Sequence, residues 1–176
     1  MKYNNETRSK KSNLNKEKIC KSAMKLISEK GYDNVSIQEI TKEAGVSKGA
    51  FYIHFSSKED LIEKNISYYY DDMKLDDSHS VYERLQIFLD KSITHIIDTG
   101  LKMAQEWFSH SVTSSVYGMK KLEYDLSYVK EILSDEMLAK EVISVYYGAL
   151  NLWCFTNGMI DPLDICMNYL EKFKRC

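Results

Sequence analysis

The sequence holds a single proline, Pro162, and only seven glycines in 176 residues, so little in it interrupts a helix. No C-x-x-C pair is present: Cys20, Cys154, Cys166 and Cys176 have spacings that make neither a zinc knuckle nor a disulfide framework. Free thiols and a cytoplasmic protein are the expectation. Residues 1–18 carry no apolar stretch, which argues against a signal peptide. Long hydrophobic runs are scarce as well. The one uncharged run of membrane length, residues 142–160, contains Ser144, Asn151, Thr156, Asn157 and two glycines. It reads as a helix buried at a subunit interface, and no membrane partner is expected. Nucleophile elbow, phosphate loop and helical His-Glu motif are all missing, and His79, His95 and His110 lie in separate segments without metal-ligand spacing. The expectation is a non-enzyme with no cofactor and no metal.

What is present is a globular mixture, 44% hydrophobic and 28% charged, with the charge unevenly placed. Residues 1–64 hold 13 Lys/Arg against 9 Asp/Glu, whereas residues 65–176 hold 11 against 17. Only the front of the chain is then suited to a polyanion. Residues 1–12 read as a flexible basic arm whose Arg8, Lys10 and Lys11 either touch phosphate or stay solvated. Ile19, Ala23, Leu26 and Ile27 recur at helical spacing up to Gly31, with Asn13 or Asn15 as the cap. Ser36-Ile37-Gln38-Glu39 is a capping box that opens a second helix, which Gly45 ends. Ser47 caps a short third helix, and residues 57–60 open a longer one running to about Leu75. Beyond a polar break at 76–80, helices are predicted near 81–99, 101–114, 118–134, 137–157 and 161–174. The fold class is all-α, with about nine helices.

The segment from Glu39 to Leu61 is a helix, a tight turn at Ala44-Gly45-Val46-Ser47 and a second short helix, which together make a helix-turn-helix. Ser47 caps the second helix so that its first turn, the positive end of the helix dipole, can point into a major groove. The string Ala44, Gly45, Val46, Ser47, Gly49, Phe51, Tyr52, His54, Phe55, Lys58, Glu59 and Leu61, preceded by Gly31-Tyr32 and Ser36-Ile37-x-x-Ile40, resembles the TetR family of transcriptional regulators. The likeness covers residues 14–62; Thr41 stands where the family usually places a small alanine, and Val35-Ser36 replaces a common threonine pair.

The resemblance implies a sequence-specific DNA-binding regulator of double-stranded operator DNA. Lys48, Gly49 and Ala50 would face the groove, with Lys48 donating either to guanine or only to phosphate. Tyr52 would lie along the DNA backbone within reach of a base, Ser36, His54 and Lys58 would reach phosphate, and Ser47 joins the DNA-binding set as the cap of the recognition helix. Val46, Ile40, Phe51 and Phe55 are assigned to a small core. The implied domains are the arm (1–12), a three-helix DNA-binding domain (13–57), and a helical ligand-sensing and dimerisation domain (58–176).

One short recognition helix grips DNA poorly, so a homodimer is expected, with its two heads about 34 Å apart. Its interface is assigned to Val142, Tyr146, Ala149, Leu150, Trp153, Ile165, Tyr169 and Phe173, because the last two helices carry more apolar surface than one domain normally buries. The aromatic-rich C-terminal part suits a lipophilic or planar effector whose binding releases a repressor from DNA. Trp107, Phe108, His110 and Tyr128 are the candidate pocket residues; filling of the core is the competing role for such aromatics. The alternative is a DNA-bound interaction protein of the same fold with no small-molecule ligand.

Overall fold

Helix α1 runs unbroken from Lys2 to Lys30, because no proline or glycine interrupts it before Gly31. The expected flexible arm, residues 1–12, is therefore corrected: from Lys2 onward it is part of α1, and neither Asn13 nor Asn15 caps a helix start. The structure, a computed structural model, describes residues 2–71, 73, 78–113 and 115–174. The side chains of Arg8, Lys10 and Lys11 and the whole of Leu75 and Cys176 lie outside the described residues.

After a short 3-10 turn at Tyr32–Asn34 come α2 (Ile37–Glu43), α3 (Lys48–His54) and α4 (Lys58–Asp71). Then follow α5 (Val81–Thr99), α6 (Leu101–Thr113), α7 (Ser115–Leu133), α8 (Glu136–Phe155) and α9 (Pro162–Leu170), the last extended by a 3-10 turn at Glu171–Phe173. Among the described residues every regular element is helical. The boundaries have local causes. Ser36 and Ser80 form capping boxes with Glu39 and Glu83, Asp135 and Asp161 cap α8 and α9, and Pro162 occupies the first turn of α9, where no amide proton is needed. Gly118, expected to separate two helices, lies instead within the first turn of α7.

The core is one large connected cluster with a smaller one, Ala104, Trp153 and Cys154, beside it. Ile19, Ala23 and Ile27 of α1 pack with Ile40, Phe51 and Phe55 to form the head, and Leu61 and Ile62 on α4 carry the same apolar cluster into α5, α7, α8 and α9. Helix α4 is therefore one link between the head and the rest, and the packing of α1 against α6 is another. Burial of side chains such as Phe51, Phe55 and Phe88, at most 1% exposed, contributes roughly 1.5–3 kcal/mol each.

The assigned interface residues need a correction. Val142, Tyr146, Ala149, Leu150, Trp153 and Phe173 are buried within the chain itself, and Ile165 and Tyr169 are partly covered. Helices α6, α7 and α9 pack against α8, so the six buried side chains are covered without a second copy, whereas Ile165 and Tyr169 keep part of their surface open.

Candidate nucleic-acid interface

The turn between α2 and α3 is built from backbone hydrogen bonds. The Val46 amide donates to the Thr41 carbonyl at 3.0 Å and the Gly45 amide to the Lys42 carbonyl at 3.2 Å, the pairing of a Schellman motif. That motif needs a left-handed residue, and Gly45 supplies it at φ 65°. The Thr41 hydroxyl, buried where a small side chain was the norm, donates to the Gln38 carbonyl at 3.1 Å and so leaves no unsatisfied group.

Helix α3 then starts at Ser47, whose hydroxyl accepts from the Ala50 amide at 3.1 Å. Phe51 and Phe55 anchor the helix from below, their ring centroids 5.5 Å apart. Opposite them Lys48, Gly49 and Tyr52 are exposed and Ala50 is half-buried. Tyr52, 50% exposed, rests edge-on against Phe51 at 5.5 Å.

Gly49 carries information of its own. A Cβ there would meet nothing closer than the Ser47 hydroxyl oxygen at 3.8 Å, and its φ lies outside the left-handed region. Nothing in the chain itself requires a glycine at this point of the helix, where alanine is the better helix former. Sequence reasoning also passed over Ile53, 76% exposed on the same helix. The signal was available: an apolar residue outside the Phe51/Phe55 packing spacing has no core to enter.

The phosphate-contact assignments fare unevenly. Ser36 is exposed at the start of α2, but its hydroxyl donates to the Glu39 carboxylate at 2.8 Å while accepting from the Glu39 amide at 3.2 Å. Glu39 also pairs with Lys30 at 2.8 Å; that contact, with the Ser36 amide, pulls its carboxyl down to about 2. His54 is half-buried, 3.5 Å from the Ser12 hydroxyl, and its pKa is pushed down by burial and by the charges of Lys16 and Lys64. The imidazole is thereby held neutral, a hydrogen-bonding group rather than a cation. Lys58 departs most from expectation. Its ammonium donates to the carbonyls of Tyr32 at 2.6 Å and Val35 at 2.8 Å and lies 4.0 Å from the Tyr32 ring centroid. It fastens the start of α4 to the connection between α1 and α2. Lys48, in contrast, has no ion-pair partner among the described residues.

Of the candidate pocket residues, Tyr128 and Phe108 pack against neighbouring aromatic rings. Tyr128 donates its hydroxyl to the Met73 carbonyl at 2.5 Å and stacks on Phe88 at 5.5 Å, and Phe108 sits edge-on to Tyr147 at 6.4 Å. Trp107 and His110 lie on α6, with side chains outside the described residues.

Comparison with known proteins agrees with this geometry. The family model described as bacterial regulatory proteins, tetR family, matches residues 19–64. An HTH-type transcriptional regulator of Staphylococcus aureus is 31% identical over 150 residues, covering 75% of this chain and 80% of that one. YuxN, an HTH-type transcriptional regulator of Bacillus subtilis, is 56% identical over 57 residues, 32% of this chain, and the chain spans only 20% of its length. Among solved structures, FadR of Bacillus subtilis in complex with stearoyl-CoA shares the fold, with a TM-score of 0.61 at 20% identity over 88% of this chain and 95% of that one.

Proposed function

The chain belongs to the TetR family of bacterial regulatory proteins, and we propose that it is a repressor that binds operator DNA as a homodimer and is released by a small molecule. The observation that carries the DNA-binding part is the outer face of α3: Lys48 exposed and without an ion pair among the described residues, Tyr52 exposed beside Phe51, and Gly49 with room around it. A face of that kind admits close approach of base edges and offers donors to guanine or phosphate.

Two such faces are needed, and the surface left open on α8 supports pairing. Ser144, Gly148, Leu152 and Phe155 recur at helical spacing on its exposed side, with Phe155 81% exposed and open space around Gly148. Met159 and Ile160, exposed just beyond the helix, extend the apolar end. Small residues in the middle and apolar ones at one end let two copies of α8 approach closely across a twofold axis. This stripe replaces the buried residues first assigned to the interface.

Release by a ligand has two supports: family membership, and the capture of the FadR neighbour in complex with stearoyl-CoA. A second reading, a DNA-bound interaction protein without a ligand, is favoured by the packing of Tyr128 and Phe108 against their neighbours. The test is selection of genomic fragments by the purified protein, followed by footprinting and a screen for compounds that release them. The expected footprint is an inverted repeat with half-sites about one duplex turn apart. Binding without sequence preference would count against the repressor assignment, and a ligand screen with no release would favour the second reading.

A further inference from the structure

Ile53 is 76% exposed on α3, although its side chain has no polar atom to be solvated. Phe51, which faces the core at 0% exposure, lies two residues from both Gly49 and Ile53. At about 100° per residue, two residues is more than half a turn, so Gly49 and Ile53 share the face turned away from the core. They stand four residues apart, one turn above the other. A helical side chain leans back over the turn before it, so Ile53 leans toward Gly49. It does not fill the space there. Among the described residues, apart from the helix backbone and the two adjoining residues, only the Ser47 hydroxyl oxygen, at 3.8 Å, comes within 4 Å of where a Cβ at Gly49 would stand. The result is a slot with bare backbone at Gly49 as its floor and a branched apolar wall at Ile53. Exposed Lys48 and Tyr52, also four residues apart, border it on one side.

We infer that this slot reads the 5-methyl group of a thymine in the major groove, so that Ile53 is a specificity-determining residue and each operator half-site holds a thymine facing Gly49. The inference rests on the operator-binding reading given above. Chemistry selects the group. Isoleucine has no donor or acceptor, so it can hydrogen-bond neither a base edge nor a phosphate. The thymine methyl is the apolar group that base pairs present in that groove. Its contact with Ile53 takes two apolar surfaces out of water, whereas a polar base edge pressed on isoleucine would lose its hydrogen bonds to water without replacement. Size agrees as well, since the place left at Gly49 is that of one methyl carbon. Branching at Cβ holds Ile53 to one main rotamer in a helix, so the wall is set before DNA arrives and little entropy is lost. Continuity with Lys48 and Tyr52 identifies what covers the patch: a duplex that engages those two side chains also lies over Gly49 and Ile53.

Random-sequence duplexes are selected with the full wild-type chain. The enriched duplex is then remade with each thymine in turn, in both half-sites together, replaced by deoxyuridine, which lacks only the methyl group. Fluorescence anisotropy is expected to show a position where the replacement weakens wild type about fourfold per half-site, compounding to about fifteenfold for the dimer. Ile53→Ala, a better helix former at an exposed site, is expected to fold as wild type does by circular dichroism and to bind the two duplexes equally. Gly49→Ala moves a methyl from the DNA to the protein, so it is expected to prefer the uracil duplex, the reverse of wild type. The inference is overturned if no replacement weakens wild type, if the same replacement weakens Ile53→Ala as much, or if Gly49→Ala keeps the wild-type preference for thymine. Each of those results leaves operator binding standing and removes the methyl reading alone. A pool from which no sequence is enriched removes the operator-binding reading, and this inference with it.

Discussion

At Gly49 a methyl group has room, with its nearest neighbour 3.8 Å away, so Gly49→Ala separates folding from recognition. The variant is expected to unfold at the same or a slightly higher temperature, gaining up to about 1 kcal/mol in helix propensity, while its operator footprint weakens. Thermal unfolding and footprinting on one preparation check this; an unchanged footprint would remove the groove-facing role of Gly49. Lys48→Ala and Tyr52→Ala are each expected to cost about 1–3 kcal/mol of operator binding with circular dichroism unchanged. His54 adds a pH dependence. Its folded pKa is held below the ordinary imidazole value by burial, then Lys16, then Lys64. On acidification the unfolded chain takes up the proton first, so the stability contributed by neutral His54 is complete above the ordinary value and lost as pH falls through it. Urea unfolding at about pH 7.5 and about pH 5.5 is expected to show a smaller loss in His54→Gln than in wild type. At this scale the sequence revealed exposure and capping well: Ser36, Ser47, Lys48 and Tyr52 stand where the motif placed them, because each depends on a few neighbouring residues. The bonds of Lys58 were not legible, because its ammonium binds carbonyls more than 20 positions earlier in the chain, partners that local pattern does not reveal.

Helix order and most helix boundaries were legible for the same local reason. Caps and glycines mark them, and α5 spans Val81–Thr99 as the periodicity predicts. Helix α1 was cut short because polarity was read as disorder, although Lys, Asn, Ser and Glu without proline or glycine do not stop a helix that is already formed. Helix α8 shows a different gap. Its apolar content suggests extensive burial but not which face is buried or by what; intramolecular helices cover Val142, Tyr146, Ala149, Leu150 and Trp153, while Ser144, Gly148, Leu152 and Phe155 stay open. The two possibilities predict opposite phenotypes. Leu150→Asp places a charge at a position with 0% exposure and is expected to destabilise the fold itself by about 3 kcal/mol or more. Phe155→Asp, at a position 81% exposed, is expected to leave the melting of the isolated chain little changed while shifting sedimentation from dimer to monomer. If Leu150→Asp gives well-folded monomers and Phe155→Asp remains a dimer, the open stripe on α8 is not the contact.

For the molecule as a whole, the uneven charge governs where a polyanion can sit, and the structure refines which charges are available to it. Lys25, Lys30 and Lys64 are held by Glu43, Glu39 and Asp60 at 2.6, 2.8 and 3.0 Å, so the basic excess of the front segment overstates the cations free to neutralise phosphate. Lys48 and Lys58 make the comparison sharp, since alanine at either one removes a single positive charge from the same small head. Lys48 is exposed and unpaired among the described residues, whereas the Lys58 ammonium is held by the carbonyls of Tyr32 and Val35. Counterion release counts only charges that meet phosphate, so Lys48→Ala is expected to reduce the slope of log affinity against log salt by about 0.9 per head in contact with DNA. Lys58→Ala is expected to leave that slope unchanged and instead lower unfolding stability by about 1–3 kcal/mol, because two charge-assisted hydrogen bonds between α4 and the Tyr32–Val35 connection are lost. Fluorescence anisotropy across a salt series, with denaturant unfolding of the same variants, separates the two. Equal slope changes would mean that the DNA complex pulls Lys58 away from its carbonyls, and that the start of α4 moves when the head engages DNA.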